Sequence, residues 1–122
     1  MEILSSRVLV RSPDPERIRA FYRDVLGLAV YREFPSGTVF FLGQGFLEVS
    51  GISTEHPTDA TQLWVQVRDL TRAAEELAEH VVRPARRESW GLDEMWIADP
   101  DGRRIVLVEI PADHPLRRDV RE

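Results

Sequence analysis

The order of helix and strand signals repeats along the 122-residue chain, and this repeat limits the folds open to it. The segments "SPDPERIRAFYRDVLGL" and "RDLTRAAEELAEHVV" each open with a helix-capping aspartate, Asp14 or Asp69, and carry apolar residues at helical spacing. Each helix follows an alternating strand, "RVLVRS" or "QLWVQVR", and precedes three further strand-like runs. The pattern predicts an α+β fold built from two βαβββ modules in tandem.

The two helix segments have clear predicted limits. Pro15 occupies the first helical position of the first helix, and Gly27 ends it. The apolar face expected of the second helix comprises Leu70, Ala73, Ala74, Leu77, Ala78 and Val81. A ferredoxin-like fold fits less well, because it returns to a helix after two strands, whereas four strand-like runs separate these two helices.

The length predicts a single domain over residues 1–122, since a chain of this size buries one modest core. Module one is predicted over about 3–51 and module two over about 61–110. The polar stretch "ISTEHPTDAT" predicts a linker over about 52–60. Residues 111–122, "PADHPLRRDVRE", lack an apolar period and are expected to be disordered or to lie over a partner subunit.

The last strand, "RRIVLVEI", has no plainly polar face. Ile105, Leu107 and Glu109 alternate with Arg104, Val106 and Val108. A sheet of a small protein packs one face on helices, and the other face normally carries polar residues to water. We therefore expect curved mixed sheets around a cup, with the second faces lining a ligand cavity or a subunit contact.

Composition and charge exclude several classes of function. A net charge of −5 argues against a nucleic-acid partner, because phosphate-binding proteins carry a basic surplus. The absence of cysteine excludes disulfides and thiolate chemistry. No apolar run approaches the length of a membrane span and the N-terminus lacks a signal-peptide pattern, so neither a membrane partner nor export is expected. A cytoplasmic location is the simplest expectation.

Two phrases carry a family resemblance. With "AFYRDVLGL" in the first helix and "ADPDGRRIVLVE" as the closing turn and strand of the second module, the chain resembles the vicinal oxygen chelate superfamily, which includes glyoxalase, bleomycin-resistance and extradiol dioxygenase proteins. The resemblance runs from about Val8 to Glu109. It implies the doubled-module fold, but one fold hosts many functions.

The resemblance also implies four metal-ligand positions, which in metal-dependent members carry His, Gln or Glu. They fall here on Arg7 and Gln62 in the first strands and on Glu48 and Val106 in the closing strands. Arginine stays protonated and valine has no donor atom, so neither binds a metal. We therefore predict no metal site and no cofactor. The three histidines, His56, His80 and His114, lie away from the predicted cup strands and are expected to have no metal role.

Alternation along the strands predicts a pocket with tryptophan walls and a few polar groups. Arg7 and Glu48 form an ion pair that fills the vacated position, hold a polar group of a ligand, or do both. The tryptophans could instead fill the cup or lie at a dimer contact, and the strand phase of Trp90 is not readable. The predicted ligand-binding residues are Arg7, Leu9, Phe46, Glu48, Gln62, Trp64, Gln66, Trp96 and Val106.

These features favour a metal-free protein that binds an aromatic or amphiphilic small molecule, such as an antibiotic, and sequesters it. The alternative is a lyase, isomerase or dioxygenase that depends on a metal or on Glu48, the only catalytic candidate. A structural or regulatory domain with a filled cup is a third hypothesis. A homodimer is expected, because Val106, Val108, Phe46 and Trp64 would form an exposed apolar patch on a single chain.

Overall fold

The computed structural model describes residues 1–116, and over these residues the chain forms two successive sets of four strands with a helical segment after the first strand of each. In the first set β1 (Val8–Ser12) precedes α1 (Pro15–Ala20), and β2 (Val30–Phe34), β3 (Gly37–Leu42) and β4 (Gly45–Ile52) follow. In the second set β5 (Leu63–Gln66) precedes α2 (Leu70–Glu76), and β6 (Val81–Arg87), β7 (Asp93–Ala98) and β8 (Arg104–Glu109) follow.

Each set forms its own mixed four-stranded sheet with the same topology. The strand orders are β1-β4-β3-β2 and β5-β8-β7-β6. In both sheets the first strand runs parallel to the last, and the remaining pairs are antiparallel. The predicted α+β fold of two tandem βαβββ modules is confirmed.

The chain divides into two compact units, Met1–Pro57 and Thr58–Glu122, which we call module one and module two. Their boundary falls within the stretch for which a linker was predicted, and β4 extends to Ile52. The single-domain assignment and the cup concern both modules together, and they stay predictions. No helix within residues 1–116 combines the length and apolar character that crossing a bilayer requires.

Each sheet has one face packed against its helix. In module one α1 contacts β1 and β4, and the buried side chains there include Val10, Ile18, Phe40, Leu47 and Val49. In module two α2 contacts β6, β7 and β8, and the buried side chains include Leu70, Met95, Ile97, Ile105 and Leu107. The opposite face of each sheet, which we call the far face, carries the alternate residues of the same strands.

The start and the end of the first helix follow the sequence signals. The Asp14 carboxylate accepts a hydrogen bond from the Arg17 backbone N–H, and Pro15 stands at the first helical position. The chain continues as a π-helical turn over Phe21–Val25. Gly27 then adopts a φ of 70°, a left-handed conformation that favours glycine.

The second helix is shorter than its apolar pattern predicts. Asp69 caps it as expected, and the Glu109 carboxylate of β8 accepts a second hydrogen bond from the Leu70 backbone N–H at 2.8 Å. Leu77 leaves the helical conformation, and Ala78–His80 form a single 3-10 turn. The assignment of Ala78 and Val81 to the helix face is therefore wrong: Ala78 is exposed, and Val81 begins β6 opposite Ile97.

Part of the predicted tail is ordered against module two. Residues 112–116 form a turn and a short helical segment, and His114 Nε2 lies 3.3 Å from the Trp90 carbonyl oxygen. Residues 117–122, which also belong to the predicted tail, lie outside the described residues. The backbone N–H of Leu116 donates to His114 Nδ1, so this histidine has a local structural role.

We predict that Gly37→Ala destabilises module one by about 1–3 kcal/mol, because overpacking a close contact forces the backbone to shift. A Cβ at this position would lie 2.7 Å from both the Val49 carbonyl oxygen and Phe34 Cζ. Gly45→Ala is the matched control, since its Cβ would meet only the Leu42 carbonyl oxygen, at 3.7 Å. Chemical unfolding monitored by circular dichroism measures both variants, and equal midpoints would contradict the prediction.

Candidate functional site

The far face of module one carries an ion pair between the first and the last strand. Arg7 lies immediately before β1, and Glu48 lies in β4 opposite Leu9. Arg7 Nη1 donates to Glu48 Oε1 at 2.8 Å, so the predicted ion pair is confirmed. The parallel pairing of β1 with β4 brings together two residues that stand forty-one positions apart in the sequence.

Ser50 completes the environment of the Glu48 carboxylate. It lies two residues further along β4, on the same face, and its hydroxyl donates to Glu48 Oε2 at 2.7 Å. The hydrogen bonds from Ser50 and then from Arg7 lower the pKa of Glu48 below its ordinary value of 4.5, because both stabilise the ionised carboxylate. Each carboxylate oxygen therefore already accepts a hydrogen bond within module one.

Three aromatic rings lie beside this ion pair on the same far face. Phe46 is two residues before Glu48 and packs against Tyr31 and Phe41, with ring centroids 4.9 and 5.7 Å away. Tyr31 and Phe41 meet edge to face at 5.1 Å and are 50% and 42% exposed. The Arg7 guanidinium lies 6.0 Å from the Phe46 centroid. Arg7, Glu48, Phe46 and the half-exposed Leu9 thus share one surface, as predicted.

Tyr31 and Phe41 are not among the residues that the sequence pattern predicts for this face. The stretch "TVFFL" is apolar at consecutive positions, so its alternation does not show which residues face the helix. The register resolves this, because Phe41 pairs with Phe46 and Phe40 pairs with Leu47. The predicted position of Phe46 could have identified Phe41. The two strands form a hairpin, and the residue paired with Phe46 across it lies on the same face.

Module two also carries aromatic residues on the far face of its sheet. The register aligns Trp64 of β5 with Val106 of β8, and Val106 with Trp96 of β7. These three predicted residues therefore form one row on the far face, and Gln66 lies on the same face opposite Val108. Trp64 is half exposed, whereas Trp96 is mostly covered by its neighbours.

The expectation that Val106 and Val108 form an exposed apolar patch is wrong. Both valines are buried, and Val106 is only 6% exposed, because they pack in a cluster with Leu92 and Ile110 that Trp96 covers. Val106 therefore belongs to the buried cluster against which the Trp96 ring packs. The part of the dimer argument that depended on these two valines is lost.

Two arginines flank the Trp96 ring. Arg83 from β6 and Arg104 from β8, the strands on either side of β7, have their guanidinium carbons 4.2 and 4.0 Å from the ring centroid. Both distances are within the range of cation–π interactions. Trp96, predicted as a wall of the pocket, is the centre of a cation–aromatic cluster.

Arg83 is held by the buried Glu88 carboxylate and by a backbone carbonyl oxygen. Its Nη1 donates to Glu88 at 3.1 Å, and its Nη2 donates to the Glu94 backbone carbonyl at 2.8 Å. Arg86 also donates to Glu88, and the hydrogen bonds from Arg86 and Arg83 lower the pKa of Glu88. Trp90, whose strand phase was unreadable, lies in the loop before β7 and donates its indole N–H to Glu94 Oε2 at 2.7 Å.

Arg83, Glu88 and Glu94 are likewise not predicted from the sequence pattern. The register of β6 against β7 shifts twice, between Val81 and Arg83 and between Arg83 and Arg86. Such irregularities change which residues point to a given face, so simple alternation through "VVRPARRES" fails. The proline at position 84 is the one local sign that this strand is not regular.

The residues at the four implied metal positions do not fit a metal ion. Glu48 uses both carboxylate oxygens within module one, Arg7 offers only donors, and Val106 is a buried hydrocarbon. Gln62 lies just before β5 and donates its amide to the Asp59 carbonyl at 3.0 Å. No group of three or more His, Cys, Asp or Glu residues within the described part of the chain is placed to hold a metal.

Comparison with known proteins identifies the family. The model of the Glyoxalase/Bleomycin resistance protein/Dioxygenase superfamily matches residues 5–107. No curated protein sequence matches significantly.

Solved structures show the same fold. A protein of unknown function from Agrobacterium tumefaciens is 25% identical, with a TM-score of 0.72 over 91% of this chain and 95% of that chain. A glyoxalase-related enzyme from Fulvimarina pelagi is 20% identical, with a TM-score of 0.73 over 92% and 91%. A lactoylglutathione lyase from Agrobacterium tumefaciens is 19% identical, with a TM-score of 0.65 over 89% and 94%. Identities this low support the fold alone.

We predict that Glu48→Gln lowers the free energy of unfolding near neutral pH by about 1 kcal/mol, since it removes charge-assisted hydrogen bonds from a partly exposed site. Because the pKa of folded Glu48 is lowered, its stabilisation is present above 4.5 and is lost as the pH falls through the folded value. The difference between wild type and variant should therefore shrink below about pH 4.

Unfolding by denaturant at several pH values measures this difference. Glu33→Gln, an exposed glutamate of β2, is the control for a general change of charge in module one. A Glu48→Gln difference that stays constant down to pH 3 would contradict the assigned hydrogen bonds.

Proposed function

Because this chain belongs to the glyoxalase/bleomycin resistance protein/dioxygenase superfamily, we propose that it is a small-molecule binding protein that works without a bound metal ion. The observation that carries the proposal is the state of Glu48, the one carboxylate among the implied ligand positions. Its two oxygens accept hydrogen bonds from Arg7 and Ser50. A metal would have to displace both partners and face the Arg7 charge.

The proposed ligand carries an aromatic or broadly apolar group. Tyr31, Phe41 and Phe46 form a connected set of rings on the far face of module one, and two of them are about half exposed. Exposed clustered aromatic rings are typical of binding surfaces, since they bury much area at little entropic cost. The Arg7 guanidinium beside Phe46 supplies N–H donors for a polar group. The proposed class is therefore an aromatic or amphiphilic compound, such as an antibiotic, that the protein sequesters.

The alternative function is a lyase, isomerase or dioxygenase. Its metal-dependent form is disfavoured by the residues at the implied ligand positions. Its metal-free form would use Glu48 as a general base, and this side chain is ionised at neutral pH. However, the lowered pKa makes Glu48 a weak base, and both of its oxygens are already hydrogen-bonded. Binding therefore ranks above catalysis.

The cytoplasmic location and the homodimer stay predictions. Because Val106 and Val108 are buried, the dimer prediction now depends on other apolar side chains that are exposed. On module one these include Leu9, Tyr31 and Phe41, and on module two Trp64 is half exposed. Some of these groups would serve a subunit contact as well as they would serve a ligand.

We predict that the neutral aromatic dye Nile red binds the protein and that Tyr31→Ala and Phe41→Ala each weaken binding about five- to tenfold. This loss corresponds to about 1–1.4 kcal/mol for one aromatic contact. Both residues are partly exposed, so their removal should leave the fold intact. Ile52→Ala and Val82→Ala remove exposed apolar side chains outside the aromatic set and serve as controls. Dye fluorescence titration measures all five proteins, and equal affinities in every variant would contradict the assigned surface.

We predict that the untagged protein retains far less than one equivalent of zinc, nickel, iron or manganese after incubation with each metal and dialysis. The reason is that the implied ligand set contains an arginine and a valine. Elemental analysis by mass spectrometry measures the retained metal. A stoichiometric metal that disappears in Glu48→Gln would instead favour the metal-dependent alternative.

A further inference from the structure

The far face of module two also carries the Arg104 guanidinium. Its ionic partner is Asp59, whose Oδ2 lies 3.2 Å from Arg104 Nη2. The two side chains differ sharply in exposure: that of Arg104 is 25% exposed and that of Asp59 is 63% exposed. A partly buried cation is therefore paired with a mostly exposed carboxylate.

The position of Arg104 is fixed by strand pairing and by contact of its guanidinium with the Trp96 ring. The residue begins β8, where it pairs with Ala98, and its guanidinium carbon lies 4.0 Å from the Trp96 centroid. Trp96 in turn rests on the buried cluster that contains Val106 and Val108. Stacking on an anchored ring limits the orientations of the guanidinium, so its N–H fork is pre-organised for a planar or tetrahedral oxyanion.

The other arginine on this ring differs in its partners. Arg83 is paired with Glu88, whose side chain is only 6% exposed, and it also donates to the Glu94 carbonyl. Replacing a buried carboxylate would leave an uncompensated charge in the interior, so this pair is structural. Asp59 has no comparable burial, and exposed ion pairs contribute only about 0.2–1 kcal/mol.

Asp59 occupies its position through the backbone of the turn before β5. The Gln62 side chain donates to the Asp59 carbonyl, which holds the main chain while the carboxylate stays largely in solvent. Withdrawing this carboxylate from Arg104 therefore breaks one exposed ion pair and leaves the Gln62 contact intact. Water and dissolved anions can reach the carboxylate side of the pair.

From these contacts we propose that Arg104, stacked on Trp96, is the binding position for the carboxylate or phosphate group of a small molecule, and that Asp59 occupies this position when no ligand is bound. An incoming oxyanion replaces the Asp59 carboxylate at the guanidinium, and Asp59 turns into solvent. The inference goes beyond the aromatic surface proposed for module one and depends on residues of module two alone.

Titration with sodium phosphate and with sodium acetate tests the proposal, with sodium chloride at equal ionic strength as the blank. The three tryptophan indole N–H signals in heteronuclear NMR spectra provide the readout. The Trp96 signal should shift saturably, and those of Trp64 and Trp90 should serve as internal references. A tighter response to phosphate assigns a phosphate ligand, and a tighter response to acetate assigns a carboxylate.

Two substitutions decide the roles of the pair. Asp59→Asn should tighten anion binding about two- to fivefold, because the competing ion pair is removed. Arg104→Gln should abolish the saturable shift. Asp93→Asn is the matched control: it removes another carboxylate of module two, the partner of Arg87, and changes the net charge equally. Its affinity should equal that of wild type.

The proposal is overturned if neither anion shifts the Trp96 signal beyond the chloride blank, if Arg104→Gln still binds, or if Asp93→Asn tightens binding as much as Asp59→Asn. Should Arg104→Gln fail to fold by circular dichroism, Arg104→Lys decides the question. Lysine keeps the charge but lacks the planar fork, so binding should weaken. Unchanged binding in Arg104→Lys would rule out the assigned guanidinium geometry.

Discussion

The parallel pairing of the first strand with the last in each module determines where the residues of the candidate site lie. A parallel pair requires a crossover connection, and here the helix that follows the first strand covers one face of the sheet. The last strand consequently becomes an interior strand with partners on both sides. Polar side chains of this last strand lie on the far face of the sheet, away from the helix. They are Glu48 and Ser50 on β4, and Arg104 on β8.

Much of the fold could be predicted because local signals and long-range pairing agree. Asp14, Pro15 and Gly27 mark the first helix. The repeated order of helix and strand signals is enough to predict the topology of both sheets. The Arg7–Glu48 pair was also predictable, since the family resemblance places both residues at ligand positions, one next to the first strand of module one and one in its last strand. The length of the second helix was not, because the apolar spacing continues through Ala78 and Val81 although α2 has ended, Ala78 lies in a 3-10 turn and Val81 begins β6.

The candidate site was only partly predictable, for two physical reasons. Phe41 lies in a run of consecutive apolar residues, so either face is compatible with its pattern. Arg83 lies in a strand whose register shifts twice, so its face depends on the irregularities of β6. Val106 was correctly placed on the far face, but its burial depends on Leu92 and Ile110, which lie outside the strand. The two modules thus share a topology and differ in the chemistry of their far faces. Module one presents the hydrogen-bonded Glu48 carboxylate, and module two presents two arginines that stack on the Trp96 ring.

The hydrogen bond from the Leu70 N–H to Glu109 also has a consequence for the dynamics of module two. It joins the first residue of α2 to the last residue of β8, across thirty-nine positions of sequence. The Leu70 amide proton can exchange with solvent only when Glu109 withdraws, so its protection reports the docking of the closing strand against the helix. One backbone amide therefore records whether helix and sheet open together as one cooperative unit.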